Sequence, residues 1–550
     1  MNKFFICGAW PYANNSLHVG HLAALLPGDV LARFFRQTGG EVLYVSGSDC
    51  HGTPITLRAN KLGVDPSYIA NHYASEFEKN FRDLDFSYDC YSATMRDSHK
   101  KEVEEILKKI YDNGFIYEKC EDADYCENCQ KFVSDREISG ICPICGKVAT
   151  GDQCDNCLTA LTPDMLLNKV CKTCGKPTTT KKDKHLYFKL TAFQPELEKN
   201  IDDNAHYWRN TAINESRKYI KEGLRDRALT RNLNWGVNVP FEGYDDKRIY
   251  VWFEAVLGYF TAGREASKKL GIDFDSFIRD KETQMFYVHG KDNIVFHTII
   301  LPALLSSIDK TIGLPNRIVS CEYVNLNNEK MSKSKGNLIT VNSLLQNLDS
   351  DVIRYFFILF NPERKDASFQ IKDLIDINNK HLVGGWGNFI NRNLSFLIKK
   401  FSGILPNAEI DENIVKAVRE EYQKVGKLYS DNELRAALEE LYTFVQFANR
   451  YYDESKPWVL AKEDKDGFDK VTATCLYLIV NIANMYLPVM PKSSKKVLEL
   501  LGVKDFTWGE VNYDNSIILK EVSVLFTKLE EDKLDFTLAS GDTLVVPDNK

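Results

Sequence analysis

The sequence predicts an α/β protein in which a parallel sheet is split by a cysteine-rich insertion and followed by an α-helical bundle. Three observations carry this expectation. The chain opens with a strand, a helix and a strand in that order; four C-x-x-C pairs then crowd into 49 residues; and from about residue 370 to about 500 the pattern is helical, with few Gly or Pro. A length of 550 residues is ample for three or four domains and a large core.

Each element has its own local reason. Residues 3–8 (Lys-Phe-Phe-Ile-Cys-Gly) read as a buried strand, which Pro11, Asn14 and Asn15 break. The apolar segment 17–35 reads as a helix, and a second strand, 41–45, follows Gly39-Gly40. Strand, helix and strand in that order make a right-handed βαβ unit. Helical segments follow at 66–84 and 95–113, the latter with Glu102, Glu104, Glu105, Lys108 and Lys109 on its wet face. The cysteine window interrupts the pattern from about 118, and apolar periodicity returns by about 186. A second strand-helix series starts near Tyr250 and runs through 285–288 and 294–305. The last forty residues alternate only weakly and carry no prediction.

Composition excludes several classes. With 70 Lys plus Arg against 77 Asp plus Glu, 44% apolar and 27% charged residues, the chain is neither disordered nor collagen-like. A formal charge of −7 excludes a generally basic nucleic-acid coat, though not a local basic groove. The N-terminus lacks the apolar core of a signal peptide and the Arg/Ser bias of a transit peptide, which predicts a soluble, cytoplasmic protein. Segment 471–491 has no charge and is long enough to span a bilayer, but it carries Thr472, Thr474, Asn481, Asn484 and Pro488. A buried bundle helix is the expectation there.

The fourteen cysteines point to metal. Eight of them form the pairs Cys126/Cys129, Cys142/Cys145, Cys154/Cys157 and Cys171/Cys174; Cys7, Cys50, Cys90, Cys120, Cys321 and Cys475 are scattered. Two-residue spacing lets both thiolates of a turn face one tetrahedral ion, and two such knuckles complete a four-thiolate zinc site. Eight ligands therefore predict two Zn2+ sites, closed and hence structural. Sequential and nested pairing are both open; the short gap between Cys145 and Cys154 favours nesting. Disulfides fit poorly in a large chain without an export signal.

Two further motifs suggest phosphate chemistry. His18-Val19-Gly20-His21 opens the first helix, where unpaired N–H groups and the helix dipole favour anions. Far downstream, Lys330-Met331-Ser332-Lys333-Ser334 sets two lysines in a Ser/Gly-rich loop, a source of mobile positive charge for a transferring phosphoryl group. Each is weak alone; their order around the cysteine insertion is the signal. No G-x-x-x-x-G-K-[ST] run is present, which argues against a P-loop NTPase.

The H-x-G-H and K-M-S-K-S pair resembles the signature of class I aminoacyl-tRNA synthetases, and its surroundings look like the methionyl-tRNA synthetase family. The resemblance runs from Ile6 to about Lys462 through Ala9-Trp10-Pro11-Tyr12-Ala13-Asn14, Asp49-Cys50-His51-Gly52-Thr53-Pro54-Ile55 and Tyr250-Val251-Trp252-Phe253-Glu254-Ala255. It continues through His289-Gly290-Lys291-Asp292, Phe296-His297 and Lys456-Pro457-Trp458. It implies a Rossmann-type catalytic domain in two halves, 1–117 and 236–325, around a connective insertion, 118–235, with two zinc knuckle sites. A K-M-S-K-S loop and stem-contact region, 326–385, and a helical anticodon-binding domain, 386–550, would follow.

The resemblance also implies an activity: methionine and Mg2+-bound ATP give methionyl-adenylate, and the acyl group passes to the 3′ end of tRNA(Met). Catalytic roles fall on His18, His21, Lys330 and Lys333. ATP would lie across His18, Gly20, His21, Gly290, Asp292 and Lys330, Met331, Ser332, Lys333 and Ser334. The methionine pocket maps to Trp10, Tyr12, Asp49, Trp252, Ala255, Tyr259 and His297, with Asp49 taking the α-ammonium group by a charge-assisted hydrogen bond. Asn388, Arg392 and Trp458 align with residues that read the anticodon, although Trp458 after Pro457 also suits a cap on a bundle core. Lys169, Lys172, Lys181, Lys182 and Lys184 are candidates for acceptor-stem contacts, with a solvated face as the alternative. The chain departs from the family pattern with Trp10 for Leu, Leu301 for Trp and Glu254 for Asp. Without the appended tRNA-binding domain by which some relatives dimerise, a monomer is expected. Two rivals stay open: an adenylating enzyme for another amino acid or acid, and a catalytically silent tRNA-binding protein.

Overall fold

The central sheet has five strands, β1 (Lys3–Gly8), β2 (Glu41–Ser48), β3 (Cys90–Ala93), β4 (Thr283–Gly290) and β5 (Arg317–Cys321). Every pairing is parallel and the order is β5-β4-β1-β2-β3, so the first strand lies at the centre with chain wound outward on both sides. Such a strand is covered on both faces, which explains the unbroken apolar run Phe4, Phe5, Ile6 and Cys7, all buried. Between β1 and β4 the winding reverses, and a crevice opens beyond their carboxyl ends, where ligands bind in open α/β sheets. The computed structural model describes residues 2–550 apart from 134–136, 152, 153, 155, 158–160, 162, 328–337, 537–542 and 545–550.

Helix α1 (Val19–Gln37) crosses from β1 to β2, and the helices Pro66–Asp83 and α2 (Asp97–Asp112) flank β3. The expected strand, helix and strand at the N-terminus, and the helices near 66–84 and 95–113, are therefore all present. The insertion rises on two long antiparallel strands, Ile116–Cys126 and Thr179–Phe188, paired from Ile116 with Phe188 to Tyr125 with Thr179. After it, α3 (Val251–Leu270) and β4 return the chain to the sheet.

Helix α4 (Ser350–Leu359) leads into the bundle of α5 (Asn388–Phe401), α6 (Glu412–Ser430), α7 (Leu434–Ser455), α8 (Pro457–Glu463), α9 (Lys465–Tyr486) and α10 (Pro491–Leu500). The uncharged segment lies mostly in α9, where Leu476, Tyr477, Leu478, Ile479 and Val480 are wholly buried. Among the described residues no helix is long and apolar enough to cross a membrane. Residues 504–536, which fall in the expected helical domain 386–550 and mostly in the weakly alternating last forty residues, instead form an irregular strap along the bundle. Asparagine side chains hold its main chain: Asn481 exchanges two hydrogen bonds of 2.9 Å with Val511, Asn379 accepts from Leu529 N at 2.8 Å, and Asn347 bonds both sides of Asp535 at 2.9 Å. Carboxamides can both donate and accept, so they replace a partner strand.

A buried ion cluster joins sheet and bundle. Asp29, in the middle of α1, is wholly buried and takes Arg33 Nε at 2.8 Å and Arg354 Nη2 at 2.6 Å. Its second oxygen accepts from Ser87 N and Oγ at 2.6 and 2.7 Å. Burial alone would raise this carboxyl, but the Arg33 and Arg354 guanidinia and the Ser87 bonds outweigh it and hold Asp29 well below the usual carboxylate range. Arg354, on α4, spends its other protons on Val489 O (2.7 Å), Pro488 O (3.1 Å) and Leu84 O (3.2 Å).

Two predictions follow from this packing. Arg354→Met leaves a buried carboxylate short of a partner and strips three carbonyls of their donor, so it should cost about 3–5 kcal/mol in denaturant unfolding. Glu421, on α6, is buried with Oε1 unpartnered among the described residues, and burial first, then Glu440, push its carboxyl up to about 7. The folded state thus keeps a proton that the unfolded chain releases above about pH 4.3, and stability falls as pH rises from there to about 7. Glu421→Gln should be more stable than the parent by about 1–3 kcal/mol at about pH 8, with the gap closing near pH 5.

Candidate active site

A cavity of about 410 Å³ opens at the point where the sheet winding reverses. The segment leaving β1 contributes Trp10 and Tyr12, the residue after β2 is Asp49, and the segment leaving β4 contributes Gly290 and Asp292. His18, Gly20 and His21 line it from the start of α1; Trp252, Ala255 and Tyr259 line it from α3; His297 closes it. Every described residue expected in the methionine and ATP sites therefore faces one cavity.

The imidazole pair is built by helix capping. His18 is the N-cap of α1, and its Nδ1 accepts from Gly20 N at 3.1 Å, while His21 Nδ1 accepts from His18 N at 3.2 Å. With both Nδ1 atoms accepting, each neutral ring carries its proton on Nε2, at the helix end where the dipole favours an anion. The rings lie 3.9 Å apart. A Cβ at Gly290 would meet Asp292 Oδ1 at 2.8 Å, so glycine lets the acid fold back over the turn.

The other half of the cavity is aromatic, and no Lys or Arg is among its described lining residues. Trp252 stacks on Phe296 at 4.1 Å, and Trp10 meets Tyr259 edge-on at 6.4 Å. A Cβ at Gly47 or Gly258 would lie 2.8 or 2.7 Å from the Trp10 ring, so these two glycines make room for the bulk at position 10. Leu301 is buried in the same core cluster without lining the cavity. His297 Nδ1 donates to Asn293 O at 2.8 Å, which leaves Nε2 to accept from Tyr259 Oη at 2.7 Å. Burial, then charge repulsion from His289, whose ring stacks at 4.3 Å, keeps His297 well below the usual imidazole range, and burial lowers His289 to about 4. Asp49 is the cavity's buried acid; burial first and the charge of Glu254 second raise its carboxyl well above the usual range.

Lys330, Met331, Ser332, Lys333 and Ser334 lie outside the described residues. The described chain just beyond them is tied to the imidazole pair: Val19 N donates to Ile339 O at 3.1 Å, Val341 N to Leu17 O at 2.9 Å, and Thr340 bridges to His18.

The eight paired thiols gather into two nested groups, Cys126, Cys129, Cys171 and Cys174, and Cys142, Cys145, Cys154 and Cys157, with all sulfurs of a group within 4.8 Å. Sulfur separations of 3.4 Å (Cys126–Cys174), 4.0 Å (Cys129–Cys171), 3.8 Å (Cys142–Cys157) and 3.5 Å (Cys145–Cys154) are far too long for disulfides. A tetrahedral ion with Zn–S near 2.3 Å requires sulfurs about 3.8 Å apart, so the groups fit zinc. The Lys176 amide lowers Cys174 to about 7, whereas hydrogen bonding to Cys174, then burial, pushes Cys129 up to about 12. One thiolate is prepared and its neighbour opposed, a conflict that a cation resolves.

Four of the five basic candidates of the insertion have acidic partners. Lys169 pairs with Asp124 at 2.6 Å, Lys181 with Glu127 at 3.0 Å, Lys182 with Asp122 at 3.0 Å and Lys184 with Glu118 at 3.1 Å. The Lys182 and Lys184 pairs cross between the two long strands.

In the bundle, Asn388 begins α5 at the surface, and Arg392 one turn later lies 4.1 Å over the Tyr452 ring, bonded to Asp453 at 2.6 Å and to Asn449 O at 2.9 Å. Trp458 flanks the same tyrosine at 5.9 Å and is 43% exposed, so it does not cap a core.

Sequence reasoning missed Glu322, Tyr323 and Asn325, which line the cavity from the segment after β5 and belong to no motif. It also missed the partners of Glu254, namely His51 and His99. The available signal was Glu254 itself, a lone charge in the apolar run Tyr250-Val251-Trp252-Phe253-Glu254-Ala255-Val256-Leu257.

Comparison with known proteins agrees with this geometry. Residues 4–394 match the family described as tRNA synthetases class I (M), and residues 405–537 match the anticodon binding domain of methionyl tRNA ligase. The chain is 44% identical over 537 residues to methionine–tRNA ligase 1 of Alkaliphilus oremlandii (strain OhILAs), covering 98% of this chain and 99% of the relative. It is 42% identical over 535 residues to methionine–tRNA ligase of Bacillus cereus (strain B4264), covering 97% and 98%. Among solved structures it is similar to Mycobacterium tuberculosis methionyl-tRNA synthetase in complex with methionyl-adenylate, with a TM-score of 0.77 at 26% identity over 96% of this chain and 100% of that one. With two family matches that together take in its sheet, its insertion and its bundle, the chain belongs to the methionyl-tRNA synthetases of class I.

Proposed function

We propose that this chain is a methionine–tRNA ligase, which activates methionine with ATP and transfers it to the 3′ end of tRNA(Met). The observation that carries the reading is the single cavity at the sheet's switch point. It joins a buried carboxylate for an ammonium group, an aromatic slot closed by an uncharged imidazole, and an imidazole pair at a helix N-terminus. A thioether packs on aromatic edges, and His297 with both nitrogens engaged offers it no charge to desolvate.

In the first step a methionine carboxylate oxygen attacks the α-phosphorus of ATP, the bond to the bridging oxygen breaks, and pyrophosphate leaves. In the second a ribose hydroxyl attacks the acyl carbon, AMP leaves, and the hydroxyl proton passes to solvent. A carboxylate is already nucleophilic, so catalysis rests on placement and charge stabilisation. His18 and His21 take phosphate oxygens, Gly20 and Gly290 admit the nucleotide, and Asp292 faces the ribose. Lys330, Met331, Ser332, Lys333 and Ser334 close on the triphosphate, with Lys330 and Lys333 meeting the charge on departing pyrophosphate; Mg2+ accompanies ATP. Asp49 binds the α-ammonium, and Trp10, Tyr12, Trp252, Ala255, Tyr259 and His297 enclose the side chain.

Two zinc ions would hold the insertion through Cys126, Cys129, Cys171 and Cys174, and through Cys142, Cys145, Cys154 and Cys157; with four thiolates each they supply structure and no open coordination position. Asn388, Arg392 and Trp458 would read the anticodon by base-edge hydrogen bonds and stacking. The enzyme would act in the cytoplasm as a monomer, with the catalytic halves, insertion, stem-contact region and anticodon domain divided as the sequence suggests.

ATP–pyrophosphate exchange across all twenty amino acids should respond to methionine alone; exchange driven by another acid, or none, overturns the reading. Lys333→Ala should lower the exchange rate about 10²–10³-fold while shifting methionine affinity less than about threefold. Metal analysis should find two zinc ions per chain, matching the two thiol groups, and Cys126→Ser with Cys171→Ser should remove one and leave the other.

A further inference from the structure

Glu254 sits on α3 between the cavity residues Trp252 and Ala255, wholly buried, and does not itself line the cavity. Imidazoles from two other parts of the fold take its two oxygens: His51 Nδ1 reaches Oε1 at 2.6 Å and His99 Nε2 reaches Oε2 at 3.0 Å. Because a carboxylate only accepts, both ring nitrogens donate. His99 belongs to α2, and its Nδ1 accepts from Thr261 Oγ1 at 3.0 Å. His51 follows Asp49 by two residues, and its main-chain N–H points to Asp49 Oδ1 at 3.4 Å. Trp235 secures the same segment from the far side by donating to Cys50 O at 2.7 Å, with its ring edge-on to His51 at 5.2 Å.

We propose that Glu254 is a positioning residue for the amino-acid half of the site: through His51 it locks the Asp49 segment against α3, and as a second buried carboxylate behind Asp49 it makes the pocket select an ammonium group. The inference rests on the reading that Asp49 takes the substrate ammonium. Its physical basis is the cost of two carboxylates in one low-dielectric region. A cation entering beside Asp49 offsets that cost, whereas a neutral ligand leaves it standing. The upward displacement of Asp49, to which Glu254 contributes after burial, agrees with this. A purely structural role would be served as well by an apolar side chain of similar volume, since a buried charge cluster is weak support for stability.

The test is ATP–pyrophosphate exchange by the full chain, with KM for methionine and for ATP measured separately in Glu254→Gln, Glu254→Asp and Asp49→Asn, and thermal unfolding recorded for each. Gln is nearly isosteric but uncharged. Glu254→Gln should raise methionine KM about tenfold, with ATP KM within about twofold, and Glu254→Asp should recover most of the loss. Inhibition by 4-(methylthio)butyrate, which lacks the ammonium group, should be equal in the parent and Glu254→Gln. If Asn at 49 raises methionine KM and Gln at 254 does not, the inference falls while the site reading stands. If Asn at 49 leaves methionine KM unchanged, the site reading falls. Equal rises in both KM values with a lowered unfolding temperature would assign Glu254 to structure alone and overturn the proposal. Should Glu254→Gln not fold, His51→Leu, which removes the link from Glu254 to the Asp49 segment, must give the same split between the two KM values, and a failure to do so overturns it equally.

Discussion

The carboxylate of Asp29 is the constraint on which the rest of the molecule depends. It is buried at the middle of α1, and its partners come from α1, from the segment before β3 and from α4. Arg354 then carries the connection to the turn between α9 and α10 through two carbonyls. The first turn of the same helix forms the imidazole pair, so the helix that presents His18 and His21 is fixed at its centre to the bundle. Sheet and bundle are joined by core as well as by charge: one continuous buried cluster runs from Phe4 and Val30 to Tyr477 and Leu498. Burying an ion is expensive, and the arrangement persists because all three nitrogens of the guanidinium find buried acceptors.

Electrostatics in the cavity follow from the same low dielectric. Burial keeps His289 and His297 uncharged, while burial and Glu254 raise Asp49. The amino-acid half therefore offers negative potential at one end and an uncharged aromatic slot at the other. The nucleotide half offers the imidazole Nε2–H groups of His18 and His21 at a helix terminus and a chain segment, tied to His18 through Thr340, that leads back to the lysine run. Opposite demands, cation at one end and anion at the other, are met within one cavity because they come from different strand ends of one sheet.

The insertion solves a different problem. Its own buried cluster is small, with Val133, Ile138, Ala149, Leu161 and Leu166 packed among the cysteines, too few apolar groups to stabilise a unit of that size. Two four-thiol groups gather there instead, and a metal ion held by each would supply cross-links in place of a core. Along its two long strands Lys182 and Lys184 are matched by Asp122 and Glu118, so those lysines do not form an unpaired basic stripe.

Sequence alone determined what depends on neighbours in the chain. The βαβ start, the C-x-x-C knuckles, the H-x-G-H cap and the helical tail are all short-range patterns, and each was legible because period, turn and cap residues act over a few positions. The rest of the cavity lining, from Trp10 to His297, was legible only through the family resemblance that its surrounding motifs carry. The nested meeting of the thiol pairs also followed from the short gap between Cys145 and Cys154; what only the tertiary structure decided are pairings made at long range: what Glu254 and Asp29 bind, and where the asparagines dock the C-terminal strap. None of these has a local signature, because a buried charge or carboxamide is satisfied by whatever donor the fold brings to it. Glu254 shows the division most plainly. Its sequence position marks it as a lone charge in an apolar helix, and only folding brings His51 and His99, from distant parts of the chain, to its two oxygens.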